Sequence, residues 1–226
     1  MNIVITTDRR GSSGYGEMVA SRLAYTLTER GHRVLAPLDY GIGQSALDGA
    51  MRAGGIPVGF VAGGRDAGTI APGLGGTAQR CELVYTAPDG VPPNRELMHH
   101  RSEMMLDEAD VVVVLGSFPR GLAGATNPSL DGARAEARDL PVFRIPDPTI
   151  PPGVRLDSRD LYTLVHDQVT STVADVEAVL GGHPGTPVRG VGDPEYQLTD
   201  GDRSHPTRET TPPLGVPTAT QSALTI

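Results

Sequence analysis

Val111-Val112-Val113-Val114-Leu115 is apolar at every position, with no polar residue interrupting the run. A strand of that kind has both faces covered, as in the middle of a parallel sheet flanked by helices. The rest of the chain agrees with this placement. Short runs near 2–6, 33–37, 57–62, 82–86 and 142–145 read as further strands, alternating with segments of helical spacing. The alternation predicts an α/β chain built as a three-layer sandwich with a mostly parallel sheet. Helices are expected over about 17–30, stopped by Gly31, and over 44–53, stopped by Gly54-Gly55. A third is entered after Pro92-Pro93 with Asn94 as N-cap, and a fourth spans about 129–138. The glycine-crowded stretch from Gly63 to Arg80 is expected to be a turn or flap. A last helix over 158–180 carries Leu161, Leu164, Val165, Val169, Val173, Val176 and Leu180 on one stripe, which must pack on the domain or on a partner. Beyond residue 180, Pro, Thr, Gly and Asp dominate, so a disordered tail over 181–226 is expected behind a folded 1–180 domain.

The third helix poses a problem of charge. At about 100° per residue Leu97, Met98, Met104 and Met105 share one face, and Arg101 falls in the middle of it. A buried guanidinium needs an anion, because an unpaired buried charge is costly. A ligand phosphate, Asp110, Glu108 or another core carboxylate would serve. The strand that follows opens at Gly116 into a loop of small residues ending near Pro128, and then into the next helix. Such a strand, loop and helix present backbone N–H groups at the carboxyl edge of an open α/β sheet, where phosphates bind.

Composition removes several alternatives. The formal charge is -8 and no basic run appears, which weighs against non-specific nucleic-acid binding. Tryptophan is absent, and the tyrosines and phenylalanines are scattered rather than paired as in an RNA-binding sheet. Every Lys/Arg position is arginine, so a P-loop lysine and Schiff-base chemistry are excluded. Cys81 stands alone, which rules out an internal disulfide and a cysteine-based zinc site and leaves it as a small core residue. His99 and His100 are neighbours facing different ways on a helix with no third ligand spaced to join them, so no metal is expected. No cofactor is implied. No signal sequence or membrane-length apolar run is present, and a soluble cytoplasmic protein without a membrane partner is the expectation.

Met98-His99-His100-Arg101, Ala109-Asp110, the valine run and Leu115-Gly116 resemble the helix and strand of the LOG family of nucleotide phosphoribohydrolases. Their pattern is Met-His-x-Arg-Lys, Ala-Asp, then a strand leading into Pro-Gly-Gly-x-Gly-Thr-x-x-Glu. Asp8-Arg9-Arg10-Gly11-Ser12-Ser13-Gly14-Tyr15-Gly16 looks like the first loop of the wider SLOG superfamily, which includes DNA-processing protein A. The segments from Gly41 to Ala50 and from Ala53 to Val58 are similar to the second loop and helix of both. Gly31-His32-Arg33-Val34 and Leu140-Pro141-Val142 also resemble nucleoside deoxyribosyltransferase-like proteins. Ser102 stands at the LOG lysine, and Ser129 at its catalytic glutamate.

Over residues 2–147 this resemblance implies a Rossmann-like fold and a nucleotide-binding protein that cleaves or transfers the N-glycosidic bond of a nucleoside monophosphate or related nucleotide. A carboxylate would meet the oxocarbenium-like centre. Asp131, Asp48 and Glu103 are the candidates in that order, with Arg101 beside them in the catalytic set. Arg9, Arg10, Ser12, Gly41, Gly43, Arg101, Gly121, Gly124 and Thr126 would hold the phosphate and so fix the reacting carbon. The alternative is a non-catalytic SLOG nucleotide sensor, or a binder of single-stranded DNA in the manner of DNA-processing protein A. The missing glutamate favours it, and the acidic charge disfavours DNA. A third is an interaction protein whose tail recruits a partner. Analogy with these folds also implies a homodimer.

Overall fold

The computed structural model describes residues 1–8, 13–117, 131–147 and 157–181. Six strands form one sheet: β1 (Asn2–Thr7), β2 (Arg33–Pro37), β3 (Val58–Val61), β4 (Glu82–Tyr85), β5 (Val111–Ser117) and β6 (Val142–Pro146). Their order is β4-β3-β2-β1-β5-β6, and every neighbouring pair is parallel. The valine run is the inner strand it was expected to be. Ile3 lies opposite Val34 on one side and Val111 on the other.

Two apolar layers follow from the period of two along each strand. Ile3, Ile5, Val34, Ala36, Val111, Val113 and Leu115 face α1 (Gly14–Glu29), α2 (Ile42–Arg52) and α6 (Ser158–Val179). Val4, Leu35, Val58, Phe60, Val112 and Val114 meet Met105 and Leu106 of α4 (Arg95–Asp107) and Ala135 of α5 (Asp131–Glu136). The result is a Rossmann-like three-layer sandwich. The stripe of α6 is used within the domain, where Val165, Val169, Val173 and Val176 pack into the α1 layer. Glu177 of α6 pairs with Arg30, and Arg22 of α1 stacks on the Tyr162 ring at 4.5 Å.

Three local expectations change. The buried face of α4 is Ser102, Met105 and Leu106, while Met98 is 50% exposed, because the helix meets the sheet through its second half. The glycine-rich stretch holds a 3-10 turn at Pro72–Leu74 and a short α3 (Gly75–Ala78), with Thr77 donating to Asp48 of α2 at 2.9 Å. Cys81 is half-buried rather than fully enclosed, and its Sγ lies 3.9 Å from Met51 Sδ. Among the described residues no helix is long and apolar enough to cross a membrane. The stretch from 182 to 226 lies outside the described residues.

Candidate functional site at the carboxyl edge of the sheet

From β1 the chain proceeds to β2 on one side, while β5 returns on the other side of β1. Adjacent strands whose connections leave in opposite directions open a crevice at their carboxyl ends, and ligands of open α/β sheets bind there. Asp8 past β1, Ser13 before α1 and Asp131 at the start of α5 lie at this edge. Acids tie the described residues of this edge together. Asp8, with its side chain only 4% exposed, accepts from Arg144 Nη1 at 2.7 Å and from the Gly132 N–H at 3.1 Å. Arg144 also reaches Glu136, at 3.2 Å from Nε. The Arg144 guanidinium lies against Gly132 in the first turn of α5, where a Cβ would stand 2.7 Å from its Nη2. These two hydrogen-bonded acids outweigh the burial that would lower its pKa, and Arg144 is held more firmly charged than usual.

Ser13 caps α1 by accepting from the Gly16 N–H at 3.0 Å, and its hydroxyl donates to the buried Asp147 just past β6. Burial, and then the Asp147 charge, push the neighbouring Tyr15 hydroxyl up to about 12. Asp131, the first carboxylate candidate, stands at the start of α5 and accepts from Thr6 Oγ1 at 2.7 Å. Asp8, Asp131 and Asp147 therefore surround the crevice, each already engaged by a donor of the protein. The sequence reading passed over Asp8, Arg144 and Asp147; the available signal was a charged residue inside the apolar strand Val142-Phe143-Arg144-Ile145.

Arg101 meets an anion, and the anion belongs to the chain. Its Nη1 lies 2.7 Å from Asp39 Oδ2, just past the carboxyl end of β2, with the arginine side chain 11% exposed and the aspartate 54% exposed. Arg101 Nε is buried with no hydrogen-bond partner. Asp39 was absent from the candidates, although an acid directly after the second strand is a readable signal. The other candidates separate. Asp48 takes Thr77 at 2.9 Å and Arg80 at 3.8 Å, holding α3 against α2. Glu103 takes Arg134 at 2.8 Å and also Arg138, joining α4 to α5. Neither is brought to the Arg101 and Asp39 pair. Gly41 has φ +85 before α2, in the left-handed region open to glycine. A Cβ on Gly43 would stand 2.0 Å from the Pro37 carbonyl oxygen. The turn and the helix-to-strand approach account for both glycines without a ligand. Arg9, Arg10, Ser12, Gly121, Gly124 and Thr126 lie outside the described residues.

The architecture is that of a Rossmann-like domain, similar in fold to DNA-processing protein A. Among curated proteins the chain matches the DNA processing protein DprA of two Mycobacterium tuberculosis strains, 33% identical over 181 residues. The match covers 78% of this chain and 44% of the relative, so the chain spans less than half the length of the curated relatives it matches. No family model matches. DNA processing protein A of Streptococcus pneumoniae superposes with TM-score 0.53 at 19% identity, covering 74% of this chain and 56% of that one. The Helicobacter pylori protein of the same name gives 0.52 at 15%, covering 77% and 81%. A molybdenum cofactor binding protein from Rippkaea orientalis gives 0.51 at 16%, covering 79% and 96%.

Proposed function

We propose that the domain binds a nucleotide-type ligand at the carboxyl edge of the sheet, its phosphate in the crevice between β1 and β5. The observation that carries this reading is the reversal of strand order at β1, with the N-terminus of the long helix α1 following that strand in the chain. The relatives support it: the Helicobacter pylori protein binds single-stranded DNA, and the Rippkaea orientalis protein binds the molybdenum cofactor. Binding is favoured over cleavage because the carboxylates at the crevice are occupied by Thr6, Ser13, Arg144 and the Gly132 amide. Titration calorimetry with nucleoside monophosphates and with short deoxyoligonucleotides tests the reading. Micromolar to millimolar saturable binding is expected, and absence of binding to every one of them defeats it.

A second reading keeps the N-glycosidic chemistry of the LOG and deoxyribosyltransferase resemblance, with Asp131 as the carboxylate. Its motivation is the place of Asp131 at the start of α5. Release of free base from a nucleotide panel, lost in Asp131→Ala, is its required outcome; intact nucleotides after prolonged incubation dispose of it.

A further inference from the structure

Asp39 and Tyr40 stand side by side past the carboxyl end of β2, and each is held by residues from elsewhere in the chain. Arg101, nearly enclosed, grips only Asp39 Oδ2. A buried cation holds this half-exposed carboxylate by one oxygen, and among the described residues no second ion pair or side-chain hydrogen bond is seen for it. Tyr40 is equally constrained. Its hydroxyl accepts from the Gly73 N–H at 3.2 Å, and its ring lies so close to Gly73 that a Cβ there would stand 3.1 Å from Cε1. The residue is nevertheless 61% exposed. One turn before Arg101 on α4, Met98 adds a second large apolar side chain exposed at 50%. An aromatic ring pinned in one orientation and left open to water offers a flat ligand a surface without an ordering cost.

We infer that Asp39 accepts the hydroxyls of a ribose and Tyr40 stacks its base, so that this edge selects ribonucleotides over deoxyribonucleotides. The inference rests on the nucleotide reading above. In doubly wound sheets the carboxyl end of the second strand is where an acid receives the 2′-hydroxyl of a nucleotide whose phosphate lies at the first loop. Arg101 is then a positioning residue: it aims the carboxylate, and the phosphate is held at the crevice. The flat face of Tyr40 accepts any base, because stacking does not read hydrogen-bonding edges. The carboxylate reads the sugar.

The test is calorimetric titration of the full chain with the four ribonucleoside 5′-monophosphates and their 2′-deoxy counterparts. For the ribonucleotide that binds tightest, loss of the 2′-hydroxyl is expected to weaken binding about tenfold, the scale of a hydrogen bond to a charged acceptor. Asp39→Asn keeps an oxygen for Arg101, and is expected to erase the preference while the deoxy form binds within about twofold of wild type. Tyr40→Ala is expected to weaken both forms alike, about tenfold, and Tyr40→Phe, which keeps the ring but loses the Gly73 bond, to weaken both alike by less. Equal wild-type affinity for the two sugars, or a preference that survives Asp39→Asn, overturns the inference and leaves the nucleotide reading standing. Binding of neither form overturns both. The wild-type comparison needs no variant to fold.

Discussion

Arg144 and Asp8 illustrate how much one pair can weigh when water does not reach it. Asp8 is almost fully enclosed, and Arg144 supplies its only charged donor among the described residues. Removing one partner of such a pair strands the other, at a cost of about 3 kcal/mol or more. Arg144→Leu is therefore expected to lower the urea unfolding free energy by about that amount, with Arg144→Leu in an Asp8→Asn background costing measurably less. His32 offers a pH signature. Burial first, then the N-terminal charge and Arg30, hold it below the usual 6.5 against the opposing pull of Glu177. A depressed folded-state value means its contribution is present above 6.5 and lost as pH falls below it. Proton NMR titration should find its midpoint under that of a denatured-state peptide, and His32→Gln should flatten the first part of the acid limb. At this scale the sequence disclosed half of what mattered. Arg101 in an apolar face announced that an anion was needed, but its partner lies far back along the chain, and periodicity carries no information about which distant acid the fold brings near.

Elements were far more legible than pairs. Strand positions came from apolar runs, and α4 began where Asn94 allowed, its side chain accepting from the Leu97 N–H at 2.9 Å. The short α3 escaped because Gly75-Gly76 argues against helix, and what holds it is the tertiary bond from Thr77 to Asp48. Helix propensity also misleads at Gly49. An alanine there should help an isolated helix by about 1 kcal/mol. In the fold its Cβ would stand 2.1 Å from the Ser21 carbonyl oxygen of α1, a backbone atom that yields only if the helices part. The overlap wins, since forcing atoms into a packed interface costs about 1–3 kcal/mol. Gly49→Ala is expected to lower the melting temperature, and a rise would mean that α1 and α2 are not so closely apposed.

For the molecule as a whole, charge sets the terms on which nucleic acid can approach. The formal charge is -8, and among the described residues many arginines are drawn into internal pairs, such as Arg30 with Glu177 and Arg138 with Glu103, which leaves them less able to displace counterions from a strand. Deoxyoligonucleotide binding is expected to change with salt by a log–log slope no steeper than about -2, reflecting one or two phosphates neutralised. Fluorescence anisotropy at 50 and 200 mM KCl, salt conditions of about the usual range, measures it; a slope near that of a multi-phosphate binder would require a basic surface the described residues do not supply. The reversal of strand order at β1 was readable only as a consequence of alternation, because the sequence fixes which segments are strands more directly than which side of the sheet each one joins.

The grip on α1 has a consequence for how the chain comes into being. Its first turn is fastened to Asp147 and the residue after its last turn to Glu177, while β1 has no neighbour on one side until β5 arrives. Emerging from a ribosome, the opening strand and helix wait unsheltered until the closing helix has been made. Within this domain, β1 and α1 are made before the strand and helix that secure them, so their contacts are of long sequence separation and form late.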